Sequence, residues 1–194
     1  MRVVSGSARG RKLKSPKTSG TRPVMDRVKT ALFDILSSDV EDTRFLDLFA
    51  GTGGVGIEAL SRGATSATFV ELSAEIAKLV RENLAITGLS EQAEVLRADA
   101  FQFLETAKAS VRHYDIVYVA PPQYAGLAAR ALAQLDRAPL TEPGGLVIVQ
   151  VHPRERGELD ALTLTTLERT DERRYGSTLL LFYDHPEEDT HATN

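Results

Sequence analysis

The chain has 194 residues, 42% hydrophobic and 26% charged, which suits one globular domain with a small extension. It has no cysteine, which excludes disulfides and thiolate metal sites, and its histidines (His113, His152, His185, His191) fall in no metal-ligand spacing. No apolar run approaches the ~20 residues of a membrane span, and "MRVVSGSARGRKLK" lacks a signal-peptide core. A cytoplasmic protein with no metal and no membrane contact is expected, its net charge of −4 concealing a basic end.

Residues 1–30 carry Arg2, Arg9, Arg11, Lys12, Lys14, Lys17, Arg22, Arg27 and Lys29 against Asp26 alone. That is +8 in a chain totalling −4, so the remainder carries −12. A basic arm on an acidic body suits a phosphate-rich partner and equally describes a solvated surface segment. Within the arm, "RVVSG" and "GRKLKSP" flank "SARG" and predict a β-hairpin with a glycine turn. "KTSGTRP" reads as a loop. Asp26 is placed to cap a helix over about residues 27–37, with Val28, Leu32 and Ile35 at helical spacing.

From residue 44 strands and helices alternate: strand "RFLDLFA", glycine turn "GTGGVG", helix "IEALSRG", strand "SATFVEL". A helix is predicted from about Ala74 to Thr87, ended by Gly88. Strand "AEVLRADA", helix "FQFLETAKAS", strand "YDIVYVA", a helix around residues 126–136 and strand "PGGLVIVQV" follow. Apolar strands alternating with helices imply a parallel sheet covered on both faces. "LTLTTLERTDERRYGSTLLLFYD" holds two strand-like runs around "RRYGS", an antiparallel hairpin closing the sheet. The predicted class is therefore α/β, mostly parallel. The division is an N-terminal extension of residues 1–40, a body of 41–184 and a polar tail of 185–194 expected to be disordered.

"GTGGVG" sets Gly51, Gly53 and Gly56 in the G-x-G-x-x-G pattern after a strand and before a helix, where a ligand can approach the backbone closely. Glu71 ends the next strand 20 residues after Gly51, placed to accept ribose hydroxyls. The pattern serves a dinucleotide or S-adenosylmethionine. Asp47 just upstream would repel a pyrophosphate and attract a cationic amino group. Asp99, before "AFQF", is offered to an adenine amine with Phe101 nearby, though it is also a fair helix N-cap. These carboxylates end three successive strands, where open α/β sheets bind ligands. At the fourth strand end, "APPQY" places Ala120, Pro121, Pro122, Gln123 and Tyr124 in a stiff turn. Its free carbonyls can hold an amino group and its aromatic can stack a flat base. Methyl transfer to an exocyclic base nitrogen needs such acceptors, because that nitrogen's lone pair is delocalised into the ring.

"FLDLFAGTGGVGIEALSRGA", "FVEL", "ADA" and "PP" resemble class I S-adenosylmethionine-dependent methyltransferases. "SGSARGRKL", "TRPVMDRVKTALFDIL" and "RRYGSTLLLFY" resemble, more narrowly, the RsmD family, which methylates the N2 amine of a guanine in 16S ribosomal RNA; the resemblance spans roughly residues 2–184. It implies a Rossmann-like, seven-stranded fold and a cofactor site at Asp47, Ala50, Gly51, Gly53, Glu71, Leu72, Asp99 and Ala100. It further implies RNA contacts by Arg9, Arg11, Lys12, Arg22 and Arg27, with Thr21 in the segment over the cofactor, and a ribosomal RNA or small-subunit particle as the partner of a monomer. The chain departs from the family at the catalytic motif. The family has Asp or Asn, two prolines and an aromatic, whereas here Ala120 offers no side-chain acceptor, Gln123 replaces the aromatic and Tyr124 comes one place late. Two outcomes stay open: transfer supported by main-chain carbonyls and Gln123, or cofactor and RNA binding without efficient transfer. A nicotinamide-dependent oxidoreductase, supported only by the glycine pattern, is the third reading.

Overall fold

The computed structural model describes residues 1–16, 26–107 and 113–187. Seven strands form one sheet: β1 (Arg44–Asp47), β2 (Ser66–Glu71), β3 (Ala93–Arg97), β4 (Tyr114–Val119), β5 (Thr141–Val151), β6 (Glu168–Tyr175) and β7 (Thr178–Asp184). Their order is β3-β2-β1-β4-β5-β7-β6. The first five are parallel, and β7 runs antiparallel to both β5 and β6. The order reverses beside β1, so a crevice opens where β1 and β4 end side by side.

Six helices cover the sheet: α1 (Asp26–Leu36), α2 (Gly54–Ser61), α3 (Ala74–Thr87), α4 (Ala100–Ala107), α5 (Leu127–Arg137) and α6 (Arg156–Asp160). Alternation along the strands divides the core. Phe45, Phe69, Ile116 and Tyr118 pack with α1, α2 and α3, whereas Leu46, Val70, Val117 and Val119 pack with α4 and α5. α3 has its predicted bounds: the Ser73 hydroxyl accepts from Ile76 N–H at 3.4 Å, and Gly88 ends the helix at φ 75°.

Three expectations change. The N-terminal hairpin forms but is short: Arg2 lies opposite Lys12, with Val3 N–H donating to the Arg11 carbonyl and Leu13 N–H to the Met1 carbonyl. Beyond that pairing the segment's amides turn to α2: Val4 and Ser5 donate to the Glu58 carboxylate, Ala8 to Ser61 Oγ and Ser7 to the Ser61 carbonyl. Second, Ile35 is 36% exposed, and α1 packs through Val28, Leu32, Phe33 and Leu36. The same helix buries Lys29 completely against Glu58, 2.9 Å away, with the Lys29 ammonium also donating to the Arg2 carbonyl. Third, the 3₁₀ turn Pro153–Glu155 and α6 follow β5, where no helix was expected. The loop KTSGTRP, with Thr21 and Arg22, and most of the 185–194 tail lie outside the described residues.

Candidate functional site

β1, β2, β3 and β4 all end at one cavity of about 710 Å³, a size that takes a nucleoside-sized ligand. Asp47, Ala50, Gly51, Glu71, Leu72, Asp99, Ala100, Ala120, Pro121, Pro122 and Gln123 line it, so most of the residues singled out from sequence converge.

Asp47 is 2% exposed and accepts one hydrogen bond, from Gly56 N–H at 3.1 Å on the first turn of α2. Burial, reinforced by the nearby charge of Glu71 and only partly offset by that N–H, pushes its pKa up to about 7. A buried carboxylate with one donor is poised to be ionised by an arriving cation. Glu71 accepts from Gly51 N–H (3.0 Å) and Ser73 N–H (2.8 Å), so it holds the glycine turn while retaining lone pairs for a ligand. Asp99 caps α4: its Oδ1 accepts from Phe101 and Gln102 N–H at 2.9 and 3.0 Å. The cap and ligand readings of Asp99 are compatible, since its Oδ2 takes no bond among the described residues.

Gly53 and Tyr124 do not line the cavity. Gly53 precedes α2 at φ 77°, and a Cβ there would stand 3.0 Å from Val80, so its missing side chain serves the turn and the packing of α3. Tyr124 is 61% exposed and its ring lies 5.3 Å from that of His152. Its φ of 63° is unusual for a bulky residue, and its N–H is held at 2.9 Å by buried Glu155. The same carboxylate accepts from His152 N–H, tying the turn after β4 to the one after β5.

Sequence reasoning missed Phe49, Thr52, Tyr118, Arg130 and Gln150, and from the covering segments Met1, Val28, Ser177 and Thr178. Arg130 stacks 3.8 Å above the Phe101 ring, which also meets Phe49 edge-on. Strand alternation past Val119 and Val149 was the one available signal for Gln150; the others depend on how α1, α5 and the last hairpin fold over the strand ends.

Exposed Arg9, Arg11, Lys12 and Arg27 stand on the outer side of the N-terminal segment and α1. Lys14 is paired with Glu82 at 2.8 Å and Lys29 with Glu58, whereas Arg2 and Lys12 face each other across the bridge without a carboxylate partner among the described residues. Like charges directly opposite are destabilising, and an anion between them would relieve that. No helix among the described residues is long and apolar enough to cross a membrane, and none of them forms a cluster of metal-ligating side chains.

The sheet order, the glycine turn and three strand-end carboxylates around one cavity define a class I methyltransferase fold. A family model described as conserved hypothetical protein 95 matches residues 1–184. The ribosomal RNA small subunit methyltransferase D of Haemophilus influenzae is 38% identical over 151 residues, covering 77% of this chain and 78% of that one. The solved structure of yhhF from Escherichia coli superposes with a TM-score of 0.80 at 30% identity, covering 97% and 99% of the two chains. An RNA methyltransferase from Salinibacter ruber, solved in complex with S-adenosyl-L-homocysteine, shares the fold at 16% identity and a TM-score of 0.64 over 89% and 99%. The chain belongs to the RsmD family.

Proposed function

We propose that this chain binds S-adenosylmethionine in the strand-end cavity and transfers its methyl group to the exocyclic N2 amine of a guanine in small-subunit ribosomal RNA. The carrying observation is that three carboxylates on successive strand tips share one cavity with the Ala120–Pro122 corner. The donor set fits the cofactor. Buried Asp47 suits the cationic amino group, Glu71 the ribose hydroxyls, and Asp99 the adenine amine, with exposed Leu72 and buried Phe101 as apolar surface for the ring. A pyrophosphate would meet Asp47 and Glu71 instead of cations, so the nicotinamide reading is set aside.

When bound, the cofactor supplies an electrophilic methyl group. The chain's part is orientation: Asp47, Glu71 and Asp99 fix the donor, and the carbonyls of the double-proline turn edge the space an acceptor amine would enter. Residues 1–40 supply the cations that grip RNA phosphates, Arg22 and Arg27 among them. Their counterion release offsets the few kcal/mol of turning a base out of its stack. The enzyme acts as a monomer in the cytoplasm, on the RNA or on the assembled small-subunit particle. A second reading, cofactor and RNA binding without turnover, rests on the missing side-chain acceptor at Ala120.

Incubation with labelled S-adenosylmethionine and unmodified small-subunit particles, followed by nucleoside analysis, tests both. Label in N2-methylguanosine is expected. Calorimetric binding of S-adenosylhomocysteine with no label in particles or naked RNA would leave only the second reading.

A further inference from the structure

The cavity extends beyond the cofactor-facing carboxylates to a wall with no ionised side chain, and resting on the reading above, that wall has an occupant of its own. β4 and β5 are in parallel register with Val119 opposite Val149. One step on, Ala120 and Gln150 stand side by side on the face that carries Tyr118, and all three line the cavity. Gln150 is half-buried, and its Oε1 accepts from the Tyr118 hydroxyl at 2.7 Å. Tyr118 is 1% exposed, so the amide is anchored by a group that cannot swing away. Burial and the charge of Asp47 raise the Tyr118 pKa, which keeps that hydroxyl a donor. Once Tyr118 is served, the amide retains one Oε1 lone pair and two Nε2 hydrogens with no partner among the described residues. Ser177 and Thr178 at the β6–β7 turn close this end.

We propose that Gln150, held by Tyr118, binds the acceptor base and supplies the side-chain contact that Ala120 lacks. An amide presents an acceptor beside a donor. That complements the guanine edge where the N2 amine adjoins N3, an acceptor; a carboxylate could satisfy only the amine. Gln123, the acceptor suggested by sequence, is exposed on the turn and takes no hydrogen bond among the described residues, so nothing pre-positions it. Preorganisation is what makes such a contact worth having in the transition state. In the step served, the N2 lone pair forms the new N–C bond and the C–S electron pair returns to sulfur, leaving a neutral thioether. The amine proton leaves to water.

The test compares Gln150→Met, Tyr118→Phe and Gln123→Ala in single-turnover methyl transfer to small-subunit particles, with calorimetry of S-adenosylhomocysteine on each. Gln150→Met should lose ~100-fold in rate with cofactor affinity within about twofold, Tyr118→Phe should lose less, and Gln123→Ala under about tenfold. In an Ala120→Asp background the Gln150→Met loss should shrink below about tenfold, because a carboxylate then holds the amine. Native transfer by Gln150→Met, an equal loss in both backgrounds, or a parallel loss of cofactor binding would overturn the assignment. If the native chain binds S-adenosylhomocysteine and transfers nothing, the transferase reading falls and Gln150's role falls with it. Activity in both native and Gln150→Met chains removes Gln150 alone.

Discussion

The two walls of the cavity solve different problems. The β1–β3 wall carries three carboxylates, each held by backbone N–H groups of the turns and helices at the strand ends: Gly56 for Asp47, Gly51 (in the turn after β1) and Ser73 for Glu71, Phe101 and Gln102 for Asp99. The β4–β5 wall carries Ala120, Pro121 and Gln150, and its fixed side-chain contact among the described residues runs between Tyr118 and Gln150 on strands that are neighbours in the sheet. Charge fixed by main-chain N–H groups does not depend on a partner's side chain, whereas a contact between side chains on adjacent strands can change one partner while the neighbour persists. On the proposed reading, a familiar cofactor wall stands beside an unusual acceptor wall in one chain.

The largest expected effect concerns what covers both walls. Met1 and Val28 reach the cavity because the N-terminal segment and α1 are fastened to α2 by the buried Lys29–Glu58 pair. Lys29→Met would leave the Glu58 carboxylate with Arg62 and the Val4 and Ser5 N–H groups but without its buried cation, a loss below the ~3–5 kcal/mol of a wholly uncompensated charge. Thermal unfolding should show this loss, and hydrogen exchange should show early deprotection of Val4 and Ser5. The exposed Lys14–Glu82 pair gives the control, since Lys14→Met should leave the unfolding midpoint nearly unchanged. A Lys29→Met chain as stable as the native one would mean that the cover is held by apolar packing and the Val4, Ser5, Ser7 and Ala8 amides without help from the ion pair.

Next comes Asp47→Asn, which separates the walls by sign. Losing the buried charge should weaken S-adenosylmethionine by about 2–5 kcal/mol, measured by calorimetry. The ligand-free protein should change the other way. The folded pKa of Asp47 is raised to about 7, so folding favours its protonated form. Its contribution is intact below an unfolded carboxylate's pKa of ~4 and is lost as pH rises toward 7, by no more than ~4 kcal/mol. The native apo protein should therefore unfold at a lower temperature at pH 8 than its Asp47→Asn variant, with the gap closing near pH 5. Affinity for the cationic cofactor should tighten as pH rises through about 7. A pH-independent gap would place the ionisation elsewhere.

The smallest effect is Leu72→Ala. Leu72 is 66% exposed at the cavity rim, an apolar side chain with nothing of its own to cover. Truncation should cost about 1–2 kcal/mol of cofactor affinity and leave the single-turnover rate at saturating cofactor unchanged. A rate defect would link the walls more closely than the geometry implies.

The first wall was legible in the sequence because its signals are local. Asp47 and Glu71 are the last residues of their strands and Gly51 follows within a few residues, and α3 announces itself through Ser73, its apolar spacing and Gly88. The second wall was only half legible. "APPQY" marked the corner, but Glu155 draws the Tyr124 backbone away from the cavity across 31 residues. Gln150 gains meaning only when β5 lies in register with β4. The N-terminal hairpin stays short for the same reason: the amides of Val4, Ser5 and Ala8 found Glu58 and Ser61 on another element. Asp136 is a further case, a residue with no sequence signal whose carboxylate gathers the N–H groups of Thr165, Thr166 and Leu167 before β6.

The anchoring of the N-terminal segment also orders events during synthesis. Its partners lie far downstream: Glu58 is 54 residues beyond Val4, and Asn83 is 69 beyond Lys14. A growing polypeptide emerges N-terminus first, so this cationic stretch leaves the exit tunnel well before anything exists for it to dock on. Until α2 and α3 are made it is a free polycation beside ribosomal RNA, and its seating on Glu58, Ser61 and Asn83 marks the moment when the nascent enzyme stops being a loose basic peptide.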